Sequence, residues 1–336
     1  MSWKEYELNN NSIADWLPWG ALTHENVMRN KDDSVLGIIS YQKGSEADVS
    51  FPKLPNGWAL WIEEQQVKFG EEECYLAVSW NPFLVHGKVV NTVDGKVIYL
   101  EELEMALHAV LLNIAESFPK ENHAHLLAYQ EMIDYLCHAL TLGKKWMPMP
   151  DVPVDLDAYL TDELCVDFSG NHVKLGKDTF LVLSLPACVG SSEEVFCRCR
   201  KELKEAKIPY RHVQRLLLYR EKSAKRELLR YTKKWCNSRK YIKSTLLQAA
   251  LGELNGLYQN TFILLVSEQE LKKTEHFLRQ LCEELEIPYI IEDYNAKDLW
   301  WGSLPSLFRA AIYPPICGFA NIGELLARKE DSVVSS

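Results

Sequence analysis

The sequence predicts an α+β protein built from two sheet-and-helix domains. Short segments rich in β-branched and aromatic residues alternate with segments whose apolar residues recur at three- and four-residue steps. The length of 336 residues suits roughly two domains. Near the middle, Lys144 to Pro153 (KKWMPMPDVP) carries three prolines, which cannot continue the helix before them. The expected division is therefore an N-terminal domain at 1–148, a central domain at 149–322 and a tail at 323–336.

In the first domain, Val35 to Tyr41, Trp58 to Glu63 and Cys74 to Trp80 read as strands separated by polar or Gly/Pro turns. Leu103, Ala106, Leu107, Val110, Leu111 and Ile114 define one helix. Leu126, Leu127, Ile133, Leu136 and Leu140 define a second, after Pro119. The reading is a small sheet covered by two helices. In the second domain, Asn171 to Leu185 reads as a hairpin turning at Gly176-Lys177-Asp178. Its second strand is apolar on both faces and so central. Then come a helix near 193–206, a strand near 210–219, a long helix near 221–253, a strand near 259–266, a helix near 268–286 and a strand near 288–292. Without the long helix this is strand-helix-strand twice over, the ferredoxin-like order of a split βαβ layer. The long helix is then an insertion between its halves.

Charge is unevenly distributed. From Arg198 to Lys243 there are 17 Lys/Arg against four Asp/Glu, so the remaining 290 residues carry 20 basic against 43 acidic. On the long helix, Leu228, Tyr231, Trp235, Ile242, Leu246 and Ala249 form an apolar stripe. Arg226, Arg230, Lys233, Lys234, Lys240 and Lys243 mostly occupy other faces, so that one side packs and another shows cations. Such a face is either solvated or a docking surface for something anionic: an acidic domain, nucleic acid or lipid headgroups. No zinc-finger spacing or RNP-type stacking motif accompanies it. The nine cysteines are odd in number and sit mostly in apolar segments, as reduced thiols do. The sequence has no apolar run of about 18 residues and no secretory h-region, and it is expected in the cytoplasm.

Local motifs for chemistry fail on physical grounds. Gly170 to Asp178 has one residue too many for a phosphate-binding loop, places Asp178 where the metal-binding hydroxyl belongs, and leads into a strand instead of a helix N-terminus. Cys197/Cys199 and His123/His125 are two residues apart, a spacing that diverges by about 200° on a helix. His108 and His138 lie on the expected helices and are not assigned as metal ligands. No catalytic residue, cofactor-binding residue or metal ligand is assigned. Trp16 and Trp19, in Asp15-Trp16-Leu17-Pro18-Trp19, and Trp300 and Trp301, in Leu299-Trp300-Trp301-Gly302-Ser303-Leu304-Pro305, either anchor chain ends into a core or form an aromatic hot spot for a partner.

Ile13 to Leu22 (IADWLPWGAL), followed by Asn30-Lys31-Asp32 and a strand, resembles the opening of the TrbE/CagE (VirB-type) conjugative transfer proteins, the type IV secretion ATPases. Gly57 to Glu63 (GWALWIE) is similar to that family's next strand. Arg226-Glu227-Leu228 and Lys234 to Lys240 are similar to its central region, and Trp301-Gly302-Ser303-Leu304-Pro305 to the stretch before its nucleotide-binding domain. The likeness runs in order over about residues 12 to 322. It departs from the family between the first two strands, where only Gly44 to Asn56 stands in place of a helix. It departs again at Ser336, where the ATPase domain is expected to begin, and the sequence carries neither a Walker A nor a Walker B element.

The resemblance implies that a full-length protein hydrolyses ATP with Mg²⁺ at the inner face of the bacterial inner membrane and powers pilus assembly or substrate transfer. This chain would supply a non-catalytic part, peripheral to the membrane. It would dock to inner-membrane channel proteins and to neighbouring copies through the basic helix (Arg226, Arg230, Lys233, Lys234, Arg239, Lys240) and the Trp-rich ends (Trp16, Trp19, Trp300, Trp301). The rival reading is a stand-alone binding module whose basic helix contacts nucleic acid or an acidic partner.

Overall fold

The computed structural model describes residues 13–43, 54, 57–66, 72–81, 84–85, 88–89, 100–143, 146–161, 164–169, 172–185, 192–218, 256–285, 290–291, 296–308 and 326. The strands are β1 (Ala21–His24), β2 (Val27–Arg29), β3 (Val35–Tyr41), β4 (Trp58–Gln66), β5 (Glu73–Trp80), β6 (Leu84–Val85), β7 (Lys88–Val89), β8 (His125–Leu126), β9 (Val166–Ser169), β10 (His172–Leu175), β11 (Asp178–Ser184), β12 (Tyr210–Leu218), β13 (Gly256–Val266) and β14 (Ile290–Ile291). The helices are α1 (Leu100–Ser117), α2 (Tyr129–Thr141), α3 (Leu156–Thr161), α4 (Ser192–Glu205), α5 (Leu271–Glu284) and α6 (Ala296–Ser303). The fold is mixed α+β, as expected.

Twelve strands form one antiparallel sheet in the order β1-β2-β3-β5-β4-β12-β13-β11-β10-β9, with β8 on β3 and β14 on β11. Two separate sheets are expected from the sequence; the strands before and after 148/149 instead share this one. Its joint is the β4–β12 ladder, running from Ala59 opposite Leu217 to Gln66 opposite Tyr210. The proline-rich stretch interrupts the chain without interrupting the sheet. β4 also runs three residues past the expected end, through Glu64, Gln65 and Gln66. Charged and polar residues conceal a strand when the groups that neutralise them lie far along the chain.

Side-chain alternation sorts the core. Ala59 and Trp61 of β4 and Phe180 and Val182 of β11 face α2, α3 and α6, in a core that draws on both halves of the chain. On the opposite face, Leu60 and Ile62 pack with Leu103, Leu107, Leu111 and Ile114 of α1. Farther along that face, Leu181 and Leu183 pack with α4 (Phe196, Leu203) and α5 (Leu278, Cys282). Gly37 on β3 allows α1 its close approach, since a Cβ there would lie 2.2 Å from the Leu111 side chain. Leu126, expected in the second helix, lies in β8, and the helix starts at Tyr129. There Glu131 accepts a hydrogen bond from the Ala128 amide, 3.0 Å. β10 and β11 form a hairpin, with Gly176 in the left-handed conformation (φ 60°) that the tight turn requires.

Two indoles hold the backbone at Gly302 and Pro305. Trp19 donates to the Pro305 carbonyl at 3.0 Å and Trp61 to the Gly302 carbonyl at 2.9 Å. Both rings are buried, so each lost bond leaves an orphan carbonyl in a dry core. Trp19→Phe and Trp61→Phe are each expected to lower unfolding free energy by about 1–3 kcal/mol. The double variant should depart from the sum, because both bonds hold the same segment. Urea titration of the four proteins checks this.

Candidate functional site: a polar seam buried between β4 and β12

Consecutive residues of a strand point to opposite faces of a sheet. Glu63 and Glu64 therefore place one carboxylate on each side of β4, and Arg211 and His212 place one basic side chain on each side of the adjoining β12. Glu64 lies directly opposite His212, while Glu63 meets Arg211 diagonally across the ladder. All four side chains are buried.

On the α2/α6 face, Arg211 grips Glu63 in a two-pronged bond, Nε to Oε2 at 2.8 Å and Nη2 to Oε1 at 2.6 Å. Its remaining donors reach the Ala139 carbonyl, the Ser303 hydroxyl and the Ser303 carbonyl. All five guanidinium protons are thus used. Tyr135 donates to Glu63 Oε1 at 2.6 Å and Gln65 donates to Oε2 at 3.2 Å. Burial and the adjacent carboxylate push the Tyr135 phenol well above its usual range. Four residues along β12 and on the same face, Arg215 donates to the Leu307 carbonyl at 2.8 Å. Two buried arginines therefore hold the backbone of 303–307 against the sheet.

On the other face, Lys43 meets Glu64 at 2.5 Å and Arg200 Nε meets it at 2.9 Å. Burial raises the Glu64 pKa, but the charges of Lys43, Arg200 and His212 outweigh it and hold the group at about 2. Arg200 Nη1 lies 3.1 Å from His212 Nδ1. A guanidinium can only donate, so Nδ1 accepts and the imidazole proton sits on Nε2. That proton is donated to Asn260 Oδ1 at 2.5 Å. The ring also stacks on Phe262, centroids 4.1 Å apart. Burial, and then the Arg200 charge, lower the His212 pKa to about 3, so the ring is neutral.

The arrangement joins the two halves of the sheet by charge. Carboxylate, imidazole and guanidinium are all present, yet both faces are packed over and His212 and Glu63 are fully shielded. A group that no substrate reaches does not act as general acid or base. Burial pushes the Cys74, Cys199 and Cys282 thiols up to about 12, far from a reactive thiolate. Among the described residues no cluster of three His, Cys, Asp or Glu is placed to hold a metal ion.

The residues singled out from sequence fall into two groups. Trp19, Trp300 and Trp301 are buried, and Trp16 is half-buried with its ring stacked on Trp301, centroids 5.9 Å apart. Lys297 lies over the Trp16 ring at 4.9 Å. Burial of Trp19, Trp300 and Trp301 fits the anchoring reading. Arg226, Arg230, Lys233, Lys234, Arg239 and Lys240 lie outside the described residues. The seam residues escaped sequence reasoning, although the back-to-back pairs Glu63-Glu64 and Arg211-His212 inside apolar segments are a signal that could have exposed them. No family model matches the chain, and no curated protein matches it.

Two outcomes follow from the seam. Unfolded His212 titrates near 6.5 and folded His212 near 3, so between these values the unfolded chain binds more protons and stability falls as pH falls. Glu64 extends the loss between 4.5 and about 2. Urea midpoints should drop from pH 7 to pH 5, and His212→Gln should flatten that slope by up to about 1.4 kcal/mol per pH unit. Arg211→Met should cost about 3–5 kcal/mol by stranding Glu63, whereas Arg211→Met with Glu63→Leu should cost less than that single change. Equal losses in a thermal melt would count against the ion pair as the source.

Proposed function

We propose that this chain is a docking part of a conjugative-transfer, type IV secretion ATPase of the TrbE/CagE kind, equivalent to its N-terminal and central region. It engages inner-membrane channel components and neighbouring copies from the cytoplasmic side, and it does no catalysis itself. One observation carries the reading: three segments that bear the likeness, far apart in sequence, meet in one core. Ile13–Leu22 supplies Trp16 and Trp19, Gly57–Glu63 supplies Trp61 and the seam carboxylate Glu63, and Trp301–Pro305 receives their ring stack and hydrogen bonds. Arg211 adds its grip on Ser303. A set of residues that interlocks this way is what a shared fold requires, more than what chance likeness in scattered peptides produces.

Strand order adds support for the finer fold reading. The strands β14-β11-β13-β12 adjoin one another, with α4 between β11 and β12 and α5 between β13 and β14 in sequence, the pattern of a split βαβ layer. On this reading the segment between β12 and β13, with Arg226, Arg230, Lys233, Lys234, Arg239 and Lys240, is an insertion that carries the cationic docking surface. ATP and Mg²⁺ belong to the catalytic domain of full-length relatives, and no residue of this chain is assigned to them.

The test is a binding titration of the purified chain against purified inner-membrane channel components of a conjugative system, beside a generic DNA duplex. Saturable binding to a channel component, weakened at least about tenfold by Arg226→Glu with Arg230→Glu and Lys234→Glu, is expected. Tighter binding to the duplex, with affinity falling steeply as salt rises, would replace the proposal with the nucleic-acid module. Mg²⁺-dependent ATP turnover that copurifies with the chain would overturn its non-catalytic role.

A further inference from the structure

The strands of the large sheet fall into two runs with one topology. Outward from the joint, the order is β4-β5-β3-β2-β1 on one side and β12-β13-β11-β10-β9 on the other, with β8 on β3 and β14 on β11. In each run the first three strands pair in succession, the fourth lies two places beyond the third, the fifth returns between them and the last pairs with the third. The helices match as well. Between the fifth and last strands stand α1 in one run and α5 in the other, on the same face of the sheet. After the last strand come α2 and α6, both on the opposite face.

Register repeats residue by residue. Ile39 of β3 pairs with Leu76 and Leu126, and Leu183 of β11 pairs with Phe262 and Ile291. Three residues earlier on each strand, Leu36 pairs with Met28 and Phe180 with Val173. Leu76 in turn pairs with Ile62, and Phe262 with His212. With Ile62 matched to His212, Glu63 matches Val213 and Glu64 matches Gln214. Across the joint Glu63 pairs with Val213, Ile62 with Gln214 and Glu64 with His212. Exchanging the two runs therefore maps the ladder onto itself about an axis at Glu63 and Val213, as in an isologous dimer. Side chains follow the same exchange. Trp61 donates to the Gly302 carbonyl in the last turn of α6, and its counterpart Arg211 donates to the Ala139 carbonyl in the last turn of α2.

We propose that the chain is a fused pseudo-dimer: residues 13–141 and 156–303 are two forms of one unit, and each edge at the joint is built to accept the unlike unit and reject its own kind. The selection lies in the charges. A second β4 in place of β12 would set Glu63 opposite Glu63, two buried carboxylates without Arg211 to neutralise them. A second β12 in place of β4 would set Arg211 opposite Arg215. Only the mixed pair brings Arg211 to Glu63 and sets Glu64 opposite His212. Matched positions such as Trp61 and Arg211 differ in residue type, so the repeat is carried by the pairing and not by sequence likeness. The inference stands apart from the secretion-system reading, which concerns partners outside the chain.

The experiment introduces a site-specific protease site into the 142–155 connection of the full chain and cuts the folded protein there. The cut protein is unfolded in urea, refolded by dilution and weighed by native mass spectrometry. Pairs of one N-terminal with one C-terminal half are expected, with pairs of like halves at least about tenfold rarer. Glu63→Val gives the N-terminal edge the central residue of β12 and should raise N-terminal pairs at least about tenfold. Arg211→Glu sets a carboxylate opposite Arg215 of a like half and should do the same for C-terminal pairs. A rise with either substitution supports the proposal. Halves that fail to reassemble, like pairs as frequent as mixed ones in the parent, or no rise with either substitution would overturn it.

Discussion

The antiparallel ladder between β4 and β12 is the constraint on which the remaining architecture depends. It is the only joint within the described sheet between strands from before the proline-rich stretch and those after it, apart from side-chain packing. At one end of this joint the pattern of apolar residues gives way to charge, with Glu63 and Glu64 on one strand and Arg211 and His212 on the other. Buried ions are costly unless paired, and here each carboxylate has a cation within hydrogen-bonding distance on its own face. A register slip of one residue would turn Glu63 toward the Glu64 face and break both clusters together. The charges therefore specify register as well as partner.

The seam also explains how residues 13–22 and 296–308 come to lie in one core. Arg211 and Arg215 hold carbonyls of Ser303 and Leu307, and the indoles of Trp19 and Trp61 hold those of Pro305 and Gly302. Two side chains of β12, one of β4 and one from the segment before β1 thus fix residues 302–307, at and just past the end of α6. These groups form a continuous internal scaffold.

Much of the fold was legible residue by residue. Val35 to Tyr41 and Cys74 to Trp80 are strands within a residue of their expected limits, because β-branched and aromatic side chains crowd there. The hairpin at Gly176 and the periods of α1, α4 and α5 were readable for similar local reasons. The end of β4 beyond Glu63 was not, since Glu64-Gln65-Gln66 looks like a solvated turn until β12, with Arg211 and His212, is brought beside it from far along the chain. Leu126 was assigned to a helix because its apolar character fits either period, and pairing with Ile39 of β3 decided for strand. Of the residues selected as docking candidates, the tryptophans of the two ends were visible as an anomaly of composition, but whether they faced inward or outward depended on what covered them.

The sequence by itself determined the class of structure, the positions of most elements and the uneven distribution of charge, since these follow from side-chain size, branching and local periodicity. Tertiary structure alone decided that the two halves share a single sheet, that Glu63 and Glu64 serve opposite faces, and that Trp19, Trp300 and Trp301 are interior. Those outcomes depend on hydrogen bonds and ion pairs between residues distant along the chain. Local preference carries no information about such pairs, because neither partner has a reason to be buried until the other arrives.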